Sequence, residues 1–286
     1  MRKPLRWLKA HLRWPKPSAL IPLIAFAYVA VIILLPALEV VVGALGKGLE
    51  PFLQNLHSEE LISAVKMTLL MALIAVPANT IFGLAAATAI ARRQFPGKAL
   101  LLSIIDLPFS ISPVVVGLML VLLYSPSNGL FGDVVNSLGW KIIFSWPGMA
   151  LATIIVTFPF MAREVIPLLE EEGWDQEEAA RTLGASNWQV FWKVTLPSVR
   201  WAVLYGLILT TARALGEFGA VSVVSGNIAG QTQTLPLFVE DAYKQYQTEL
   251  AYGAALVLGG VALVSLLLKL LVEQMIGGLK DDQPIN

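Results

Sequence analysis

Residues Glu178 to Pro197 read EAARTLGASNWQVFWKVTLP, a polar-containing segment caught between strongly apolar runs. Just before it, Asp175 followed by Glu178 forms a D-x-x-E start signal, in which the aspartate caps free N–H groups and the glutamate reaches back. The spacing predicts a helix from Gln176 that closes at Gly184, because glycine accepts the left-handed turn that ends a helix. Ser186 and Gln189 repeat the logic as an S-x-x-Q capping box and open a second short helix. Trp188, Phe191 and Trp192 fall at i, i+3 and i+4, so that helix carries one aromatic face. Pro197 is predicted to break it and turn the chain sharply into the next apolar run.

The flanking runs set the class. Hydrophobic residues make up 56% of the chain and charged residues only 14%, against about 25% charged in a soluble domain. The chain is a polytopic membrane protein. Twenty basic residues balance twenty acidic ones, so net charge by itself says nothing about a nucleic-acid partner, and none is expected of this class. With no cysteine, disulfides, thiolate catalysis and Cys-based metal sites are excluded. The two histidines, His11 and His57, lie outside the apolar runs, which removes zinc hydrolase motifs and His-based triads.

About 20 apolar residues span a bilayer, and six windows qualify: 19–42, 61–91, 99–124, 147–169, 198–224 and 250–271. Residues 1–17 carry six Lys/Arg and no acid, with Trp7 and Trp14 interleaved; they read as a basic tail on the membrane surface, either a topology signal alone or a lipid contact. The loop after the second window holds Arg92, Arg93 and Lys98 without an acid. By the excess of positive charge on cytoplasmic loops, both termini and the second and fourth connections are expected in the cytoplasm. The expected organisation is a tail at 1–17, a first span with an extracytoplasmic loop at 18–60, a core at 61–272 with the quoted segment at about 175–197, and a cytoplasmic tail at 273–286.

On that topology the quoted segment lies on the cytoplasmic surface as two short helices joined at a glycine. It could rest on lipid headgroups, but the small residues Ala179, Ala180 and Gly184 favour close approach by another protein. The pattern EAA, three residues, Gly, nine residues, then V-x-L-P resembles the EAA loop of permease subunits of ATP-binding-cassette importers. Val194 stands where that family usually has isoleucine. The resemblance implies that Glu178, Ala179, Ala180, Gly184, Val194, Leu196 and Pro197 couple the chain to a partner ATPase. It also implies an all-α type-1 importer permease (MetI-like) fold of six transmembrane helices in the inner membrane.

Charge inside an apolar span is costly and marks function by default. Arg213 and Glu217 lie one helical turn apart in the fifth window, ~22 and ~29 Å from its inner end at ~1.5 Å per residue. Asp106 lies only ~10 Å from the inner end of the third, so Arg213–Glu217 is the expected pair rather than Asp106–Arg213. Either the pair packs spans together or the arginine faces an oxyanion path. Those three charges sum to minus one, so the hydroxyls of Ser110, Ser112, Thr210 and Thr211 are expected to contribute to any such path. Pro108 and Pro113, with Gly117, suit a bent span near a pore.

The stretches DLPFSISPVVVGLML, FSWPGMALATIIVTFPF and ARALGEFGAVSVVSG are similar to the sulfate/thiosulfate (CysW-type) permeases of this family. That implies import of sulfate, and of thiosulfate; molybdate/tungstate or another oxyanion is the alternative substrate. It further implies a sister permease (CysT-type), two copies of an ATPase (CysA-type) and an extracytoplasmic sulfate-binding protein. A secondary transporter is the competing class, but no internal repeat of the kind such folds show is present. An enzyme is not expected, because no nucleophile, base and ligand set converges. The chain also has no Gly-rich phosphate loop with Lys-Ser/Thr, so it is expected to hold no cofactor itself, with ATP and Mg bound by the partner ATPase.

Overall fold

The computed structural model describes residues 17–281, with side chains over 21–274; the expected basic tail therefore lies outside the described residues except for Pro17. Every described element is helical. In chain order they are α1 (Pro17–Leu45), α2 (Leu49–Leu56), α3 (Glu59–Arg92), α4 (Lys98–Ser110), α5 (Pro113–Tyr124), α6 (Gly132–Ser137) and α7 (Trp146–Glu172). Then come α8 (Asp175–Thr182), α9 (Asn187–Val190), a π-helical turn (Phe191–Thr195), α10 (Leu196–Ser198), α11 (Arg200–Leu215), α12 (Gly219–Val224), α13 (Leu235–Lys244) and α14 (Thr248–Asp281).

Four helices, α1, α3, α7 and α14, are each long and apolar enough to cross a membrane, and the number reaches six only if two bent pairs each count as one span. The third window is not one helix. Its halves α4 and α5 meet at 110°, because Ile111 and Ser112 are extended ahead of Pro113, which disfavours helical backbone in the residue before it. Pro113 then opens α5 at its first position, where a missing N–H costs nothing. The fifth window also differs from a single helix: α11 ends at Leu215, and Gly216–Phe218 separate it from α12. Counting depth along a straight helix to Glu217 therefore fails.

The bundle is built around α7. Two apolar cores are stacked along it. One gathers Met149, Ala152 and Val156 with Met71 of α3, Leu120 of α5 and Val221 of α12. The other gathers Met161, Val165 and Leu169 with Ala87 and Ile90 of α3, Ile105 of α4 and Val199. Between them lies a polar layer: Asn79 Nδ2 donates to Thr157 Oγ1 at 2.7 Å and to Ile154 O at 3.1 Å. Of the short segments not expected from the sequence, α13 packs against the end of α3. In α13, Leu235, Leu237 and Phe238 are buried, and the Leu235 N–H donates to Thr68 Oγ1 of α3 at 2.7 Å.

Close helix approach depends on small residues, as expected in lipid, where apolar burial alone does not drive association. Met161 is fully buried between Gly83 of α3 and Gly206 of α11. A Cβ on Gly83 would lie 2.8 Å from Met161 Cβ, whereas one on Gly206 would first meet the Met161 sulfur at 3.1 Å. Gly117 of α5 lets the Ala220 backbone of α12 approach in the same way. The sulfur can shift and the Met161 Cα, 3.3 Å from a Cβ on Gly206, need give only a few tenths of an ångström, whereas the 2.8 Å approach at Gly83 forces the helices apart. Gly83→Ala should therefore lower the thermal stability of the detergent-purified protein more than Gly206→Ala, by about 1–3 kcal/mol of overpacking. Equal melting temperatures for the two variants would remove the case for a tight α3–α7 contact.

Candidate functional site

The segment between α7 and α11 forms a compact hairpin. Asp175 is the first residue of α8 and not its cap; Trp174 holds that position and no side-chain cap bond forms, so the expected D-x-x-E box is absent. The helix closes as expected at Gly184, whose φ is +88°, with the Gly184 and Ala185 N–H groups donating to Arg181 O and Ala180 O. The second box is present in both directions: Gln189 N–H to Ser186 Oγ at 3.3 Å, and Ser186 N–H to Gln189 Oε1 at 2.9 Å.

Trp188, Phe191 and Trp192 contact one another with ring centroids 5.5–6.2 Å apart. Pro197 does not end the helix. The chain stays helical to Ser198 and bends by 73° before Arg200. A π turn at Phe191–Thr195, in which the Leu196 N–H reaches Phe191 O, absorbs the mismatch that a proline without an N–H imposes on the preceding turn.

The motif residues divide by face. Glu178, Ala179, Gly184 and Pro197 are exposed, while Ala180, Val194 and Leu196 are half-buried. No heavy atom lies within 4 Å of a Cβ built on Gly184. A face of small residues is thus open, and the aliphatic residues seat the hairpin on the bundle.

The anchor is a buried ion pair that the sequence reading missed. Glu177 Oε1 accepts from Arg92 Nε at 2.9 Å and from Thr195 Oγ1 at 2.9 Å. Its Oε2 faces Arg181 Nη2 at 3.3 Å. Arg92 also donates from Nη1 to Leu169 O. The side chains of Arg92 and Glu177 are only 8% and 5% exposed. Arg92 entered the sequence reading as a surface loop charge, but it occupies the last turn of α3. The Glu177–Arg181 spacing of four was the one local signal available for Glu177. Between this hairpin and α3 lies a groove of about 970 Å³ lined by Leu84, Thr88, Trp174, Trp188 and Phe191 among others.

In the membrane interior, Arg213 Nη1 lies 2.6 Å from Glu217 Oε2, the pairing expected from the sequence. The second carboxylate oxygen accepts the Ala220 N–H at 2.8 Å, so Glu217 also satisfies the start of α12. Glu217 is buried; the Arg213 side chain remains 31% exposed. Thr210 is fully buried and Thr211 half-buried, and both hydroxyls donate to their own helix, to Gly206 O and Leu207 O. Ser110 and Ser112 are exposed at the break between α4 and α5.

Asp106 has a partner outside the expected set: Arg163 Nε of α7 donates to its Oδ1 at 2.8 Å. Arg163, Glu164 and Lys269 add to the three interior charges weighed from the sequence, so their sum of minus one does not describe the interior. The lone arginine in FPFMAREV was the legible signal for Arg163.

Comparison with known proteins gives the same picture. The profile of the family described as "Binding-protein-dependent transport system inner membrane component" matches residues 79–277. The chain is 66% identical over 261 residues to a sulfate transport system permease protein CysW of Synechococcus elongatus, covering 91% of each chain. It is 37% identical over 243 residues to the sulfate transport system permease protein CysT of Escherichia coli, covering 85% of this chain and 86% of that one. The margin between 66% and 37% places it nearer that CysW relative than that CysT relative. Among solved structures, a chain of a bacterial alginate transporter in complex with its periplasmic protein superposes with a TM-score of 0.73 at 18% identity, covering 90% of this chain and 92% of that one; at that identity the likeness concerns the fold alone.

Removing one member of a buried pair leaves the other charge uncompensated, at a cost of about 3–5 kcal/mol. Glu177→Ala should therefore loosen the hairpin, read as faster amide hydrogen exchange over 174–198. The double variant Arg92→Met, Glu177→Leu should recover part of that protection. A single variant with exchange identical to the parent would show that the pair does not anchor the segment.

Proposed function

The chain belongs to the family of inner membrane components of binding-protein-dependent transport systems, and we propose that within it this protein is the CysW-type permease subunit of an ATP-driven importer of sulfate and thiosulfate. The observation that carries the substrate is the 66% identity to a sulfate permease over nine-tenths of both chains. A sister permease of the CysT type completes the pore, two CysA-type ATPase copies grip the coupling hairpins, and an extracytoplasmic binding protein delivers the anion.

Several features support this reading. The hairpin exposes Glu178, Ala179 and Gly184 and is tied through Arg92 and Leu169 to the ends of α3 and α7. A push on that face is thus delivered to the helices that form the core. The chain carries no phosphate-binding glycine loop, which supports a non-catalytic subunit with ATP and Mg bound by the partner ATPase. Arg93 and Lys98, with no acid between α3 and α4, support a cytoplasmic placement of that connection, the hairpin and both termini. ATP-driven closure of the ATPase pair draws the hairpins together and opens the bundle outward, and hydrolysis resets it.

Labelled sulfate uptake in cells lacking their own permease, with unlabelled thiosulfate or molybdate as competitor, tests the substrate. Competition by thiosulfate and not by molybdate is expected; import of molybdate alone would overturn the sulfate reading. Gly184→Trp puts a bulky side chain on the docking face at a φ that costs an ordinary residue about 1–2 kcal/mol. Sulfate uptake should fall while the protein still inserts into the membrane, and wild-type uptake would contradict the coupling role. Arg213→Ala should impair uptake or assembly, whereas Lys141→Ala, at an exposed position, should leave both near the parent level.

A further inference from the structure

Two ion pairs line the exposed seam between α4 and α7, which pack antiparallel. Lys98 Nζ meets Glu170 Oε1 at 3.4 Å near the helix ends. Asp106 meets Arg163 farther in, eight residues along α4 and seven along α7, a separation of about 11–12 Å. Beyond that pair, Phe109 and Phe160 pack edge to face with centroids 5.1 Å apart, and the guanidinium carbon of Arg163 lies 5.0 Å from the Phe109 ring centre. Then comes the break between α4 and α5, with exposed Ser110 and Ser112. On α4, Ser103, Asp106 and Ser110 follow at i, i+3 and i+7, so they share one face.

A face of this kind does not point at lipid. The Arg163 side chain is 56% exposed and that of Asp106 39%, at a depth where a charged group in hydrocarbon is strongly disfavoured. Asp106 takes only the Nε edge of the guanidinium. Among the described residues, the two terminal nitrogens of Arg163 have no hydrogen-bond acceptor, which leaves four N–H donors in the planar fork that suits an oxyanion. The Phe109 ring and the Nε contact fix the orientation of that fork.

We propose that Arg163, positioned by Asp106 and Phe109, is a contact for the tetrahedral oxyanion on the cytoplasmic half of the translocation path. This rests on the reading of the protein as an oxyanion importer. Asp106 gives the site its second property. A permeating ion must bind strongly enough to enter and weakly enough to leave, and the neighbouring carboxylate keeps the site neutral when empty and repels the dianion when filled. Arg163 thus serves passage rather than storage. Selection among anions falls to other parts of the system.

The chain contains no cysteine, so Ser103→Cys, at an exposed position one turn from Asp106 on the same face of α4, introduces its only thiol while leaving the Arg163–Asp106 pair intact. In inside-out vesicles holding the assembled transporter, that thiol should react with the anionic, water-soluble reagent sulfonatoethyl methanethiosulfonate, and added sulfate should slow the reaction. Reaction only with a membrane-permeant maleimide would place the position in lipid, and failure to react with either would bury it against a partner; both overturn the proposal. Arg163→Gln should lower sulfate uptake about tenfold or more, the scale expected for losing a charge-assisted contact, while ATP hydrolysis stimulated by the binding protein persists. Arg163→Lys should fall between. The double variant Asp106→Asn, Arg163→Gln should stay low, because the cation is what passage needs; wild-type uptake in it would reduce the pair to packing and overturn the proposal. A parent transporter that imported molybdate but no sulfate would instead refute the sulfate reading and leave the labelling result intact.

Discussion

A carboxylate withdrawn from water must find a counter-charge, and Glu177 finds one on another helix. Its pairing with Arg92 is the constraint on which the hairpin end of the molecule depends. Arg92 ends α3, Leu169 O lies near the end of α7, and Thr195 sits in the π turn before α11. One buried cluster thus ties the ends of two core helices, α3 and α7, to both arms of the hairpin. Without it the hairpin would rest on its own caps, on buried Val190, and on half-buried Phe191, Val194 and Leu196. With it, displacement of the exposed face at Gly184 must move α3 and α7 as well.

Above that knot the bundle is organised around α7, which contributes to both apolar cores. The polar layer at Asn79 and Thr157 divides them, and the glycines facing Met161 allow α3 and α11 to approach. In hydrocarbon the apolar effect does little to bring helices together, so close fit and buried hydrogen bonds must do it. Two helix breaks interrupt this regularity where polar groups cluster. The α4–α5 break exposes Ser110 and Ser112, and the α11–α12 break holds Glu217 between Arg213 and the first turn of α12.

The interior charges separate into two kinds. Glu217 is buried with two partners and fixes the local geometry of α12. Arg163 is more than half exposed with donors free. The first arrangement is closed and the second is open, although both begin as an arginine–carboxylate pair. Burial of the carboxylate distinguishes them; the pairing itself does not.

Much of this was written in local sequence. The apolar windows determined that the chain lives in a membrane, because their length and hydropathy do not depend on what they pack against. The capping box at Ser186 and the helix end at Gly184 were legible because they are contacts over three to five residues. The pairing of Arg213 with Glu217 was legible for the same reason. What escaped depends on chain segments brought together only by folding. Arg92 and Glu177 are 85 residues apart, and Asp106 and Arg163 are 57 apart, so no periodicity could join them. Local patterning also overstated the Asp175 cap and the break at Pro197, since a capping signal and a proline state preferences that packing can override. The segment Glu178–Pro197 thus declared by itself that it was two short helices with an open small-residue face. Only the tertiary structure decided what that face is fastened to, because the fastening is a buried charge and burial is a property of the whole fold.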